Sequence, residues 1–346
     1  MPESIDSILS QTFRDFELMI INDGSSDNSE EIIKSYNDSR IVYKKHSKNE
    51  GLIATLNEGI DQARGKYIIR MDADDVSMPR RFEKQVAFME ENSAYGLLGT
   101  WTQVMDSEEI YRPYIDDMTI RVEQLRLNQF IHTSVILRKS VLIEHQLYYS
   151  NDFYATEDYE FWVRVAACCK VANLDEVLVK YRKHAGQASS IHSKMQVENA
   201  DRTRILQIEL AVGIQLNPQE RHYYLRFLQE RPENDEELSI ENNLLRKLLQ
   251  LCKAKEKGTN FYYYLGKQFS KDLRLKTKRY LFNKFVIQPT RFSWKLLYDF
   301  FTFPISPARY MSFAETTAFI FKCLFFYKKS RSEKSRAGSN SLLHQT

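Results

Sequence analysis

The chain has 346 residues, 43% of them hydrophobic, which is long enough for two domains and apolar enough to bury a core. Only 11 glycines and 8 prolines occur, so collagen-like and linker-like chains are excluded. The four cysteines form no C-x-x-C pair. This cysteine usage argues against a disulfide scaffold and a cysteine zinc site, and it predicts a reducing compartment.

Charge is distributed unevenly along the chain. Residues 1–190 carry 22 Lys and Arg against 31 Asp and Glu, whereas residues 191–346 carry 27 against 15. Of the 44 aromatic residues, 21 fall between Phe261 and Tyr327. This asymmetry predicts a basic region that faces an anionic surface. The first residues lack the basic start and apolar run of a secretory signal, and no stretch reaches the roughly 20 apolar residues of a membrane-spanning helix.

Strands and helices are predicted to alternate up to about residue 185. In chain order we expect a helix at Ser4–Gln11, strands at Phe16–Asn22 and Arg40–His46, a helix at Gly51–Ala63, a strand at Lys66–Asp72, a helix beginning at Pro79, and strands at Gly96–Val104, Ile131–Leu137 and Val177–Tyr181. The apolar run at Phe16–Asn22 is typical of a strand buried on both faces. The alternation predicts a mainly parallel α/β sheet, in which ligands bind beyond the carboxyl ends of the strands.

Three carboxylates, Asp72, Asp74 and Asp75, follow the third predicted strand. Their mutual repulsion is costly unless a cation or hydrogen-bond donors compensate it. Asp72 and Asp74 are two residues apart, so in an extended chain both side chains point the same way and offer oxygen ligands to Mg²⁺ or Mn²⁺. The alternative is a solvated acidic turn that caps the next helix.

Two further acidic groups have both a structural and a functional interpretation. Asp23 lies in the turn NDGSSDN, where it either caps the next helix or reads the N–H groups of a nucleotide base. Glu157 and Asp158 open a predicted helix, where carboxylates favour the helix dipole. The same rigid helix would hold a general base in position.

Polar residues near two later strands complete the candidate set. His132 is predicted to lie on a strand, where a hydrogen-bonded core histidine is the alternative to a role in a cleft. Arg182 and His184 lie in the loop YRKHAGQASS after the last strand. Their cationic and hydrogen-bonding groups could cover a diphosphate, and a plain polar loop is the alternative.

Five segments, in their order and spacing, resemble glycosyltransferase family 2. They are FELMIINDGSSDNS, NEGLIATLNEGIDQARGKYIIRMDADDVSMPRRFEKQ, HTSVILRKSVL, ATEDYEFWVRVA and LVKYRKHAGQAS. The resemblance covers roughly residues 3–190. It implies a GT-A fold, which is a Rossmann-like nucleotide-binding domain, and transfer of a sugar, with inversion, from a nucleotide diphosphate donor.

The resemblance also implies roles on the donor side of the site. Asp23 would bind the nucleobase, most often uracil. Asp72 and Asp74 would form the D-x-D motif that holds Mn²⁺ or Mg²⁺, with Asp74 as the direct metal ligand. Arg182 and His184 would face the diphosphate from a closing loop.

On the acceptor side, the resemblance makes Asp158 the catalytic base, with Glu157 beside it and His132 lining the cleft. The base would deprotonate an acceptor hydroxyl that attacks the anomeric carbon opposite the leaving group. One base without a covalent intermediate gives inversion.

The family normally begins with one more apolar strand ahead of the helix at Ser4–Gln11, and this chain begins at Met1 inside that region. We therefore expect an upstream start, which an in-frame stop directly before Met1 would contradict. Without that strand the alternative is a catalytically impaired nucleotide-sugar or membrane-binding module. A sugar nucleotidyltransferase is a further alternative, but it needs a Gly-rich phosphate loop after the first strand, and none is present.

These observations predict three regions: a GT-A catalytic domain at 1–190, a helical, basic and aromatic region at 191–329, and a disordered tail at 330–346. The helical region is either a buried helical domain or a surface that binds anionic membrane, since interfacial helices combine Lys and Arg with aromatics. Nucleic-acid binding is not expected, because no recognised module is present. We expect a metal-dependent transferase that uses a UDP-sugar and a glycan or lipid-linked acceptor in capsule, lipopolysaccharide or exopolysaccharide assembly. It would be cytoplasmic, at the membrane face.

Overall fold

The computed structural model describes residues 1–184, 193–229, 235–255 and 260–282. The strands are β1 Leu18–Asn22, β2 Ile41–Lys45, β3 Tyr67–Ile69, β4 Val76–Ser77, β5 Tyr95–Val104, β6 Ile110–Tyr111, β7 Ile136–Arg138 and β8 Lys170–Tyr181. The helices are α1 Pro2–Leu9, α2 Ser29–Lys34, α3 Leu52–Gln62, α4 Arg81–Glu91, α5 Asp117–Glu123, α6 Lys139–Glu144, α7 Glu157–Cys168, α8 Ser193–Val212, α9 Pro218–Gln229, α10 Asp235–Lys255 and α11 Asn260–Phe282.

The chain divides into two compact units, the first ending at Leu216 and the second beginning at Asn217. The first unit contains every β-strand of the described residues and helices α1 to α8. Helix α8, which the sequence assigns to the helical region after residue 190, therefore groups with the α/β unit.

The principal sheet of the first unit is mixed, which corrects the expectation of a mainly parallel sheet. Its strand order is β3-β7-β5-β8-β4, and β6 pairs with the carboxyl-terminal end of β5. Strand β5 runs parallel to β8, but β7 runs antiparallel to both of its neighbours, and β4 runs antiparallel to β8. The physical reason is the excursion through β6 and α5, which returns the chain into the sheet in the reversed direction.

A second, two-stranded sheet is formed by β1 and β2, which pair in parallel from Leu18–Ile41 to Asn22–Lys45. In the described part of the chain β1 pairs with no other strand. The side chains of Leu18 to Ile21 are consequently half-buried, and the expectation that this strand is buried on both faces is wrong.

The core of the first unit lies between the principal sheet and helices α3, α6 and α7. Helix α7 contributes the fully buried Phe161, Trp162 and Val165. Leu97 of β5 and Leu137 of β7 face them from the sheet. These contacts fix helix α7 along its length. Its first two residues, Glu157 and Asp158, are therefore held on a rigid element.

Helix α1 and the residues just after it form hydrogen bonds to the backbone of the acidic turn, residues 72–75, and of the segment that follows it. The side chain of the fully buried Gln11 donates to the carbonyl of Met78 (2.8 Å) and accepts from the amide of Phe82 (3.1 Å). The hydroxyl of Ser4 donates to the carbonyl of Asp72 at 3.0 Å. These bonds join residues more than 60 positions apart and fix the backbone at the end of β3.

His132 lies in a 3₁₀ turn, His132–Ser134, and not on a strand as the sequence predicts. Both the amide and the hydroxyl of Ser134 donate to the carbonyl of Ile131 at 2.8 Å, which closes the turn. The strand that follows is correspondingly short, Ile136–Arg138.

The second unit is helical in its described part, as expected. Helices α9, α10 and α11 pack through buried apolar side chains, with the rings of Phe227 and Phe269 6.4 Å apart. Among the described residues, no helix has the length and hydropathy needed to span a bilayer. The expected tail at 330–346 and the aromatic segment after Phe282 lie outside the described residues.

Candidate functional site

The acidic turn follows directly after β3. The amide of Asp75 donates to the carbonyl of Asp72 at 3.4 Å, so residues 72–75 form a turn and not the extended chain that the sequence predicts. The carboxylates of Asp72 and Asp74 consequently have different partners. Asp72 forms an ion pair with Arg70, and its amide donates to the hydroxyl of Thr133 at 3.2 Å.

Asp74 faces the loop that follows β8. Its Oδ2 atom lies 2.9 Å from Nε2 of His184, and its carbonyl accepts a hydrogen bond from Nε of Arg182, also at 2.9 Å. Both side chains of the Asp74–His184 pair are more than a third exposed. A carboxylate and an imidazole therefore stand together at the surface, 110 residues apart in sequence.

Asp75 is fully buried and links the same two segments. Its Oδ1 atom accepts from the amide of Arg182 at 2.8 Å. Burial, together with the neighbouring charges of Asp72 and Asp74, raises the pKa of Asp75 to about 6, although the bond from Arg182 opposes the rise. Asp75 therefore supports the turn from inside, whereas the carboxylate of Asp74 is partly exposed beside His184.

Glu157 and Asp158 form the first turn of α7. Asp158 is half-buried and accepts from Nδ2 of Asn128 at 2.8 Å. Burial and the adjacent charge of Glu157 raise the pKa of Asp158 to about 7. Glu157 is only 7% exposed, burial raises its pKa too, and its Oε2 atom has no hydrogen-bond partner in the described part of the chain.

Arg70 interacts with both the acidic turn and the first turn of α7, and it is not among the residues predicted from the sequence. Its side chain is 12% exposed and pairs with Asp72. Burial alone would lower the pKa of Arg70, but the charges of Asp72, Tyr149 and Asp158 outweigh that effect and raise it. A charged residue at the end of the apolar strand KYIIR was the available signal. Asn128, also missed, gave none.

His132 lies in an aromatic wall. Its Nε2 atom is 3.1 Å from the hydroxyl of Tyr149, and its ring centroid is 5.8 Å from that of Trp162. Burial and the positive charge of Arg70 hold the pKa of His132 well below its usual range. His132 is therefore a neutral imidazole near the pair of acidic motifs.

Asp23 lies apart from this cluster in its contacts, at the end of β1. Its carboxylate accepts from the amides of Glu50 and Gly51 at 2.8 and 2.9 Å, and it lies 2.7 Å from Nδ1 of His46. Burial alone would raise the pKa of Asp23, but these bonds outweigh it and lower the pKa. The Asp23 carboxylate thus accepts hydrogen bonds from the loop after β2, and the sequence did not predict these bonds.

The described residues contain no group of three or more His, Cys, Asp or Glu side chains arranged to hold a metal ion. The exposed Asp74–His184 pair nevertheless has suitable donor chemistry for a divalent cation that takes its remaining ligands from phosphate and water.

Comparisons with known proteins agree with the resemblance seen in the sequence. The family model "Glycosyl transferase family 2" matches residues 1–146. An uncharacterised glycosyltransferase of Haemophilus influenzae is 35% identical over 218 residues, which are 58% of this chain and 67% of that protein. The chain belongs to glycosyltransferase family 2.

Another family 2 relative is the O-antigen biosynthesis glycosyltransferase WbnJ of Escherichia coli. It is 32% identical over 189 residues, which are 52% of this chain and 73% of WbnJ. Among solved structures, S. aureus TarS 1–349 in complex with UDP-GlcNAc gives a TM-score of 0.53 at 17% identity, over 80% of this chain and 86% of that TarS fragment. The expected GT-A fold with a helical C-terminal region is confirmed, and at this identity the likeness concerns the fold alone.

Proposed function

We propose that this protein transfers a sugar, with inversion and with a divalent metal, from a nucleotide diphosphate donor to a hydroxyl group of a glycan or lipid-linked acceptor. The observation that carries the proposal is the position of Arg70. Its guanidinium pairs with Asp72 of the acidic turn and is within electrostatic reach of Asp158 on α7. This position supports a single site shared by the donor-side and acceptor-side acids, as a transferase of two substrates requires.

The proton transfer falls to Asp158. A pKa of about 7 suits a general base at neutral pH, and helix α7 and Asn128 hold its carboxylate in place. Asp158 takes the proton of the acceptor hydroxyl, and the oxygen attacks the anomeric carbon from the face opposite the nucleoside diphosphate. A single displacement inverts the anomeric centre. His132 and Tyr149 would line the acceptor side.

Asp74, as the direct ligand, and Asp72 of the same turn would hold Mn²⁺ or Mg²⁺, and we add His184 as a candidate ligand because its Nε2 atom lies 2.9 Å from Asp74. When bound, such a cation neutralises the charge that develops on the departing diphosphate. Arg182, which already bonds the backbone of Asp74, would face the same phosphates from the loop after β8. Asp23 would receive the nucleobase.

UDP-sugar is the proposed donor class, supported by the uracil preference that the resemblance implies and by the UDP-GlcNAc bound to the structural neighbour TarS. Surface polysaccharide assembly is the proposed setting, supported by the similarity to an O-antigen glycosyltransferase. Identity of the sugar resides in pocket details that motifs do not encode.

We further propose that the second unit binds the cytoplasmic face of an anionic membrane. Its helix α11 exposes two tyrosines, Tyr263 and Tyr264, which are 52% and 46% exposed, together with Lys267 and Lys271. Tyr263, Lys267 and Lys271 follow one another at intervals of four residues, so they lie along one face of this helix. Lysine and aromatic side chains on one helical face suit a lipid headgroup layer.

Donor hydrolysis tests the proposed transferase. The full chain is mixed with Mn²⁺ and a panel of nucleotide sugars, and release of the nucleoside diphosphate is measured. We expect turnover that is lost in both Asp74→Ala and Asp158→Asn and kept in Asp152→Asn, a surface carboxylate control. Absence of turnover would favour the impaired binding module.

A further inference from the structure

The end of β1 and the loop after β2 form a second organised region, centred on Asp23. Gly24, with φ of +70°, is so close to the loop that a Cβ atom there would lie 2.8 Å from the backbone nitrogen of Asn49. Both oxygens of Asp23 accept loop amides, one from Glu50 and one from Gly51. The carboxylate therefore sets the shape of the loop at 46–51.

His46 bridges Asp23 to helix α3. Its Nδ1 atom lies 2.7 Å from Oδ1 of Asp23, and its Nε2 atom lies 2.6 Å from Oε2 of Glu58. An ionised carboxylate accepts hydrogen bonds and donates none, and a neutral imidazole has only one N–H. Two carboxylates at these distances are both satisfied only when His46 carries a proton on each nitrogen.

We propose that His46 is a positioning residue for the donor. As an imidazolium that donates a hydrogen bond from each ring nitrogen, it holds the Asp23 carboxylate and the loop at 46–51 in the shape that receives the nucleotide. This inference rests on the proposed function, which places the nucleobase at Asp23. His46 itself needs no contact with the donor. It acts through Asp23 and through the two loop amides that Asp23 accepts.

The groups around His46 define the pH dependence of this arrangement. Asp23 and Glu58 bond the ring, Glu50 adds a third negative charge, and these outweigh burial and raise the pKa of His46. Lys44 is the nearby cation, 3.6 Å from the other oxygen of Glu58. Because the folded-state pKa is raised, the bridge is complete at low pH and is lost as the pH rises through that value.

The test uses the full-length chain and UDP alone as the probe. The Cε1–H resonance of His46, assigned by its absence in His46→Gln, reports its pKa, and hydrogen exchange reports protection of the amides of Glu50 and Gly51. UDP affinity is measured from pH 6 to pH 9. We expect a pKa above 6.5, and UDP affinity and amide protection that fall together as His46 loses its proton.

The variants should separate positioning from simple stability. His46→Gln should bind UDP about tenfold more weakly at pH 6.5, with affinity that no longer changes with pH through this range. Glu58→Gln keeps the ring but removes one anionic partner, so the loss of affinity should move to lower pH. His145→Gln, an exposed histidine on the same unit, should behave as wild type.

Each outcome decides a definite point. Unchanged amide protection and a normal pKa for His46 would overturn the bridge. Deprotected amides in His46→Gln with unchanged UDP affinity would overturn the positioning role, since the loop would then not serve the donor. A wild-type chain that binds no nucleotide at any pH would instead contradict the proposed function, while the resonance and exchange data still report the bridge.

Discussion

Asp158 is subject to two opposing requirements. Its proposed role as the base needs the carboxylate ionised and oriented toward the acceptor, whereas burial beside Glu157 favours the protonated form and raises its pKa to about 7. A carboxyl whose folded-state pKa lies above its unfolded value stabilises the fold at low pH, and that stabilisation is lost as the pH rises through the folded-state pKa. The residue proposed as the base is thus a source of instability at the pH where it works.

Replacing Asp158 by Asn should separate the two requirements. We expect sugar transfer to fall by at least about 100-fold, because the base is removed. The melting temperature should rise relative to wild type, and more at pH 8 than at pH 5, because the ionised carboxylate is gone. Thermal melts at both pH values measure this, with Asp152→Asn as the surface control. Equal stability of Asp158→Asn and wild type at pH 8 would show that the carboxylate is not destabilised.

Arg70 should set the pH range of the reaction. Its positive charge opposes the rise in the pKa of Asp158, so Arg70→Met should move the acid limb of the kcat profile to higher pH. Arg70→Lys keeps the charge and should leave the limb near its wild-type position. Rates at saturating donor over pH 5.5–9 measure the shift. Identical limbs in both variants would remove Arg70 from the electrostatics of the base.

At the scale of the elements, the close approach of β5 to its neighbours is the tightest constraint. A Cβ atom on Gly99 would lie 2.0 Å from Oδ1 of Asn173 on β8, and Asn173 is bonded in turn to the carbonyls of Tyr114 and Gln129. The side chain of Asn173 cannot move without breaking those bonds. Strands β5 and β8 can therefore pack this closely only because Gly99 has no side chain.

Gly99→Ala should destabilise the fold by roughly 1–3 kcal/mol, the usual cost of overpacking a core. Gly59→Ala is the matched control, because it lies inside α3 with only Ile21 at 4.0 Å, and alanine there should add up to about 1 kcal/mol of stability. Urea denaturation of both variants measures the difference. A Gly99→Ala variant as stable as wild type would mean that β5 and β8 separate easily.

The sequence predicts individual elements better than their partners. The apolar run before Asp23 and the run KYIIR predict β1 and β3, because burial of a strand leaves a local signature. Strand direction is not local: β7 reverses because of the segment between it and β5. His132 was assigned to a strand because its neighbours are apolar, and the hydroxyl of Ser134 closes a turn there instead.

The candidate site shows the same limit. The sequence places Asp72 and Asp74 on one segment and Asp158 on another, and the resemblance links the two, but neither reveals the guanidinium of Arg70, which pairs with Asp72 and interacts electrostatically with Asp158. The loop bonds of Asp23 were also beyond reach, because they depend on how closely Gly24 approaches Asn49.

At the scale of the molecule, the first part of the chain is acidic and the last part is basic. This difference makes the proposed membrane binding testable. The full chain should bind vesicles containing phosphatidylglycerol more tightly than pure phosphatidylcholine vesicles, and the difference should shrink as salt rises from 50 to 300 mM, since screening weakens surface attraction. Vesicle flotation measures the bound fraction.

The double variant Lys267→Glu/Lys271→Glu should reduce binding to the anionic vesicles. Lys170→Glu/Lys194→Glu makes the same change in charge on the first unit and should reduce it less, because those exposed lysines do not belong to the helix that carries the exposed tyrosines. Equal losses in the two variants would mean that net charge alone governs adsorption and that no dedicated surface exists.

The pairing of Asp74 with His184 has a consequence for how the protein is made. The two residues are 110 positions apart, and β4, just after the acidic turn, pairs with β8. On the ribosome, the acidic turn is complete long before the loop that compensates its charge has been synthesised. Until then its carboxylates repel one another, and the nascent chain holds the turn without the imidazole that stands beside it in the finished protein. The pair of Asp74 and His184 therefore forms late in synthesis, after β8 has been made.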